Sequence, residues 1–308
     1  MIFMWSFSFI IVDIAVNYIP PMSVAFYRFI VASIWFLIID FIKKIRRYNK
    51  NIEQNSTQNQ EKYTKREWIL IIFSSFTGVS LFFFSQYNAI NLIGPSLPAL
   101  FVCLLSPVLI AIFALIFFDE KLNKYKIIGF IIATIGGFLL VTGGDITILA
   151  PDSPNFWGYF LALITPLFWG IYSTMTKQIK NKSSLEMLKY LCYLGTIELF
   201  LIIFFTGELL IFLNCFLNLI LILCALYLGL GCYVIGYYIW QSSQRKMESS
   251  KVASFLYIEP FLTLFFSFLL QRDELIVIWN IIGGIIVLIA VLIINYEKTT
   301  IKQLKKIK

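Results

Sequence analysis

Apolar runs approaching 20 residues recur along the whole chain, and that property limits the folds open to it. A helix needs about 20 such residues to cross the ~30 Å hydrocarbon core of a bilayer. Of the 308 residues, 59% are hydrophobic and 14% charged, and the mean hydropathy is +0.84. A soluble domain is about half apolar and roughly a quarter charged. A water-soluble fold of this length could not hide so many Phe, Ile and Leu. The chain therefore reads as an all-α integral membrane protein. Ten apolar segments can be placed, at roughly 1–18, 22–42, 68–88, 96–118, 126–142, 156–176, 186–206, 218–241, 251–270 and 276–296.

The basic residues orient these segments. With a cytoplasmic N-terminus, the inside loops hold eight Lys/Arg in 43–67, three in 119–126, four in 177–189 and three in 242–251, with five more in the tail. Only Arg272 falls in an outside loop, and Arg28 lies within a span. The positive-inside rule then places both termini in the cytoplasm, in a multi-pass protein of the plasma membrane. The net charge of +8 is explained by these loops and calls for no nucleic-acid partner. The polar 43–67 segment, rich in Asn and Gln, reads as a flexible cytoplasmic loop.

Several chemistries are excluded. The chain has no histidine, which removes His-ligated metal sites and His-based proton relays. Cys103, Cys192, Cys215, Cys224 and Cys232 show no C-x-x-C spacing and read as reduced packing residues. No G-x-x-x-x-G-K-[ST] is present, so ATP hydrolysis by a P-loop is unsupported. No metal or cofactor is expected. The first segment lacks a basic n-region and a small-residue cleavage site, so no cleavable signal is expected.

An internal repeat emerges at a fixed offset of 153 residues between 78–123 and 231–276. Gly78 meets Gly231, Ser96 meets Ser249 and Pro107 meets Pro260. One inserted residue later, IIGFII (127–132) meets IIGGII (281–286). Loop charge reverses between the copies: 89–95 has no basic residue against three in 242–251, and 119–126 has three against one in 271–275. Opposite charge in related loops is the mark of a five-span unit duplicated upside down. The expected organisation is a first five-helix repeat at 1–142, an outside linker at 143–155, a second repeat at 156–296 and a basic tail at 297–308.

Short motifs in order along the chain carry a family likeness. They are WSFSF (5–9), YIPP (18–21), FYRF (26–29), the S-P…EKL run (Ser106, Pro107, Glu120–Leu122), YLGLGCYVIGYYIWQSSQRKMESSKVA (227–253), and E-P…DEL (Glu259, Pro260, Asp273–Leu275). Together they resemble the drug/metabolite transporter superfamily, most closely its ten-helix EamA-type families, over essentially the whole chain. Where that family usually has Gly-Glu after its fourth and ninth helices, this chain has Asp119-Glu120 and Arg272-Asp273. The first segment is also short, about 27 Å as a helix, which points to a longer natural N-terminus or an internal Met1. The resemblance implies a secondary transporter, exporting at least as often as importing, with a small-molecule substrate in a lipid bilayer.

Candidate site residues follow from polar groups in apolar surroundings. Asp13, Arg28, Glu198 and Glu259 are ionisable residues within spans, where each costs at least a few kcal/mol if it faces lipid charged. Asp13 and Arg28 both lie about 9 Å below the outer boundary. They form either a structural ion pair, or a setting in which Arg28 is the counter-ion of an anionic substrate group. Glu259 has no basic residue at matching depth, and a buried carboxyl without a partner tends to hold a proton. It either caps a carbonyl freed by Pro260, or exchanges protons or binds a substrate amino group. Glu198 is a second proton-coupling candidate on a more peripheral helix.

Pro107, Pro166 and Pro260 sit inside spans, where each removes a backbone hydrogen bond. They make static bends, or Pro107 and Pro260 act as paired hinges of opposed repeats. Gln86, Tyr87, Asn88, Tyr237, Trp240 and Gln241 end helices, either as interfacial belt residues or as cavity lining. Trp169 and Tyr172 lie deeper, three residues apart on one face, and Trp5 matches Trp169. The substrate-binding set is thus Trp5, Asp13, Arg28, Gln86, Tyr87, Trp169, Tyr172, Tyr237, Trp240 and Glu259.

The sequence supports a secondary transporter of a small amphipathic metabolite, such as an amino acid, working by alternating access, with proton coupling motivated by Glu259. The alternative is a membrane-embedded enzyme acting on a lipid-linked or small substrate. That reading lacks a dense polar constellation near one interface. A pore would need a filter of carbonyls or ring charges, which one chain does not display. Oligomeric state is not written in the sequence, and a monomer suffices.

Overall fold

In a bilayer every backbone N–H and C=O must pair within protein, and a helix does so within its own segment. The structure, a computed structural model, describes residues 1–50, 63–118, 120, 123–145, 155–179, 182–271 and 278–295. Among the described residues it is helical, with no strand. The helices are α1 (Ile2–Val16), α2 (Pro21–Lys50), α3 (Lys65–Ile93), α4 (Ser96–Phe117), α5 (Lys124–Thr142), α6 (Phe156–Gln178), α7 (Ser184–Phe205), α8 (Glu208–Cys215), α9 (Leu219–Lys246), α10 (Ser249–Leu269) and α11 (Ile278–Asn295). Every segment expected from hydropathy coincides with one of them. Among the described residues, seven helices are long and apolar enough to cross a membrane, and α1 and α11 contain shorter apolar stretches. Short α8 was not expected; it fills the connection from α7 to α9 after a left-handed Gly207 (φ 77°). The expected 43–67 loop is shorter than hydropathy suggested, since α2 stays helical to Lys50 and α3 begins at Lys65; its residues 51–62, with Asp119, the DEL run at 273–275 and the 297–308 tail, lie outside the described residues.

Two helices leave the α pattern. α3 is π-helical over Phe76–Leu81, and α9 over Tyr227–Tyr237. α10 tightens instead: it is α-helical over Ser249–Ser254, 3-10 over Phe255–Ile258, and α-helical again from Glu259. α4 continues unbroken through Pro107.

Large apolar side chains face outward, Phe205, Phe268 and Leu292 being among the most exposed, as expected where lipid is the solvent. The interior holds aromatics and small polar residues, with Phe29, Tyr87, Tyr172, Tyr233 and Trp240 fully buried. Close approach between helices relies on glycine. A Cβ at Gly78 would come within 2.2 Å of the Tyr172 ring, joining α3 to α6. One at Gly229 would lie 2.6 Å from the Arg28 carbonyl oxygen, joining α9 to α2.

Candidate functional site

The π-helical part of α9 shapes the site. An i→i+5 turn loosens the carbonyl ladder and is frequent at functional positions. Two of its carbonyls serve other helices. The Trp5 indole of α1 donates to the Cys232 oxygen (3.0 Å), and the Arg28 guanidinium of α2 donates through Nη2 to the Leu228 oxygen (3.0 Å). Arg28 Nη1 donates to the Tyr87 hydroxyl at 2.6 Å, and the guanidinium carbon lies 4.6 Å from the Phe83 ring centroid. Gly236 leaves the room that the Trp5 indole occupies.

α10 supplies the carboxyl. Pro260 deprives the Leu256 oxygen of its usual helical donor, and the Glu259 backbone N–H takes that place through the 3-10 turn. Glu259 is thus not the side-chain cap of the freed carbonyl that the sequence allowed. Its Oε2 instead accepts from the Cys103 thiol of α4 at 2.8 Å. Thr263, one turn on, donates to the Ser6 oxygen and ties α10 to α1.

These side chains meet around a cavity of about 50 Å³, lined by Trp5, Ser8, Phe9, Arg28, Phe82, Phe83, Gln86, Val102, Trp169, Cys232, Tyr237, Leu256 and Glu259. Its free space suits water; an organic solute would require the lining to move. Arg28 and Glu259 are 4% and 3% exposed. Among the described residues neither has an ion-pair partner, and Arg28 Nε and Glu259 Oε1 have no hydrogen-bond partner. Buried polar atoms are normally paired, so two opposite ionisable groups with unpaired atoms on one cavity are the arrangement of a site for a polar solute. An aromatic layer borders the cavity, with Tyr172 and Trp240 nearer the basic-loop ends of α6 and α9 than the lining residues Trp169 and Tyr237. Trp5, Trp169 and Trp240 have ring centroids 5.5–5.8 Å apart, and Tyr172 lies 5.1 Å from Trp169. Gln241 donates to the Tyr172 hydroxyl at 2.7 Å.

The sequence-derived candidates thus separate. Trp5, Arg28, Gln86, Trp169, Tyr237 and Glu259 share one cavity; Tyr87 holds Arg28; Tyr172 and Trp240 pack behind. Tyr237, Trp240 and Gln241 are buried inside the protein, not in an interfacial belt. Asp13 does not pair with Arg28. It lines a separate recess of about 780 Å³ with Asn17, Gly94, Pro95, Asn155 and Gln271, at the charge-poor loops. Glu198 is also elsewhere, accepting from Ser80 of the π-helical α3 segment at 2.5 Å. Sequence reasoning missed Cys103 and Cys232, which it took for packing, and Ser8 within WSFSF.

An all-helical, multi-span fold with a buried polar cavity between its helices defines a class: membrane proteins that handle a small solute inside the bilayer. The chain belongs to the EamA-like transporter family, whose sequence pattern it matches over residues 1–142 and 156–296. It is 26% identical over 303 residues to an uncharacterized transporter of Archaeoglobus fulgidus, covering 97% of this chain and 94% of the relative. The uncharacterized transporter YyaM of Bacillus subtilis is 23% identical over 287 residues, with coverage of 92% and 88%. A solved crystal structure shares the fold at a TM-score of 0.65 and 16% identity, covering 96% of this chain and 94% of that one. The protein is a multi-pass membrane transporter, which implies a small-molecule substrate and a lipid bilayer around it.

Proposed function

We propose that the chain is a secondary transporter, not an enzyme, that exports an amino-acid-like zwitterion across the plasma membrane by alternating access, with both termini cytoplasmic. The two family matches, at 1–142 and 156–296, act as inverted repeats that rock about the cavity. The carrying observation is the pair of buried ionisable groups with unpaired polar atoms on one cavity, Arg28 Nε and Glu259 Oε1. Arg28 takes the substrate carboxylate, and Glu259 takes the ammonium or a coupling proton. Trp5, Trp169, Tyr237, Phe82 and Phe83 supply the apolar wall. A monomer contains the whole cavity, and Pro107 and Pro260 are the proposed hinges.

Counterflow in sealed proteoliposomes tests the reading. Free amino acids should exchange, and derivatives blocked at the carboxyl or the amino group should not. Glu259→Gln should remove the response to an imposed pH gradient; an unchanged response means that Glu259 does not couple protons. Equal exchange of blocked and free compounds would overturn the zwitterion assignment. Product formed without movement across the sealed membrane would favour an embedded enzyme.

A further inference from the structure

On the basic-loop side of the aromatic layer, polar contacts join the two family-matched stretches. Glu120 follows α4, in the first stretch. Its Oε1 accepts from the Lys177 ammonium of α6 (2.9 Å) and from the Ser249 backbone N–H (2.9 Å). Its Oε2 accepts from the Ser250 N–H (3.4 Å) and hydroxyl (3.3 Å). Lys177 also donates to the Ser249 hydroxyl at 2.6 Å and lies 4.9 Å from the Phe118 ring centroid. Beside it, Lys126 of α5 bonds the Glu248 carboxylate and reaches the Ser250 hydroxyl at 3.1 Å. Glu120 and Lys177 are 9% and 15% exposed. This is not a loose surface pair of the kind that contributes little: one carboxylate accepts from donors on two elements and caps the open N–H groups that begin α10.

Its position gives it a role. Lys177 lies about 12 Å farther along α6 than Trp169, which lines the cavity, and Ser249 lies about 15 Å before Glu259 on α10. α6 and α10 thus run from the cavity into this network. On the charge-poor side the recess beside Asp13 is open instead. We infer that Glu120, bridging Lys177 and the N-terminus of α10, with Lys126–Glu248 beside it, is the latch that closes the cavity toward the basic loops. Opening there requires Glu120 to leave Ser249 and Ser250, and the start of α10 to separate from α4 and α5. The inference rests on alternating access as the mode of action, and needs no knowledge of the substrate.

Cys232 reports on it, since its side chain lines the cavity. Sealed right-side-out and inside-out membrane vesicles holding the full chain are treated with membrane-impermeant sulfonatoethyl methanethiosulfonate, and modification of Cys232 is read by peptide mass spectrometry. In Glu120→Ala and Lys177→Met, labelling from the basic-loop face should rise about tenfold, the population change expected on losing one set of charge-assisted hydrogen bonds. Labelling from the opposite face should fall. Lys189→Ala, which breaks the Lys189–Asp40 pair between α7 and α2, should leave both rates unchanged. A rise from both faces means a loosened fold, and no rise from the basic face means no latch; either overturns the inference. If the unaltered protein and both variants resist labelling from both faces, the latch fails and so does the proposed solute path through this cavity.

Discussion

At the Glu120 carboxylate, burial raises the pKa, while the Lys177 ammonium and the Ser249 and Ser250 N–H groups lower it; together they hold it below its ordinary 4.5. A folded value below the unfolded one gives stability above about pH 4.5 that is lost as pH falls through the lowered value. Thermal melts of the purified protein and of Glu120→Gln should therefore differ by about 2–4 °C at neutral pH and converge in acid. Parallel curves would mean that the charge contributes nothing. Legibility at this scale was uneven. Glu259 stands out as a carboxyl in an apolar run. Its partner Cys103 does not, because a cysteine in an apolar helix looks like packing, and only the docking of α4 on α10 brings residues 103 and 259 together. The expected Asp13–Arg28 pair failed for a related reason. Matching depth along two helices fixes height, not rotation, and Arg28 turns toward α3 and α9.

The element scale is where the sequence was least informative. The π-helical stretch Phe76–Leu81 maps, by the 153-residue offset, onto 229–234 inside the π-helical stretch of α9. Paired distortions at matching positions support the repeat reading. Composition does not announce them, since i→i+4 and i→i+5 ladders use the same residues. The segments holding the prolines differ: the turn before Pro260 is 3-10, while the turn before Pro107 remains α-helical. If the two stretches are the proposed inverted repeats, this difference is of the kind that the proposed alternating access calls for. Two glycines of α9 provide a test. Ala at Gly229 would put a Cβ 2.6 Å from a backbone oxygen of α2 that cannot rotate away, whereas at Gly231 the nearest atom is 4.0 Å distant, on the Tyr227 ring. Gly229→Ala should lower thermal stability by about 1–3 kcal/mol. Gly231→Ala should be neutral or stabilising by up to about 1 kcal/mol. Equal melts for the two variants would contradict the close α2–α9 packing.

For the whole molecule, hydropathy identified the solvent and the helix positions, because a bilayer leaves few alternatives. Motif order identified the family. The asymmetry about the cavity was not legible: a recess lies on one side and an aromatic layer over an ionic network on the other, and the proposed alternating access calls for a counterpart in which the two are exchanged. That aromatic layer also carries an optical signal. Of the seven tryptophans, Trp5, Trp169 and Trp240 come from three different helices and stand within 5.8 Å of one another. Indoles this close share excitation, so circular dichroism should contain a coupled band that Trp240→Phe weakens, leaving the Trp5–Trp169 pair at 5.5 Å. The same band should shrink in Glu120→Ala as the layer parts; an unchanged band would mean that the layer stays shut when the latch is cut. Under the proposed alternating access, the layer would serve as an intrinsic gauge of opening, readable by light without an attached dye.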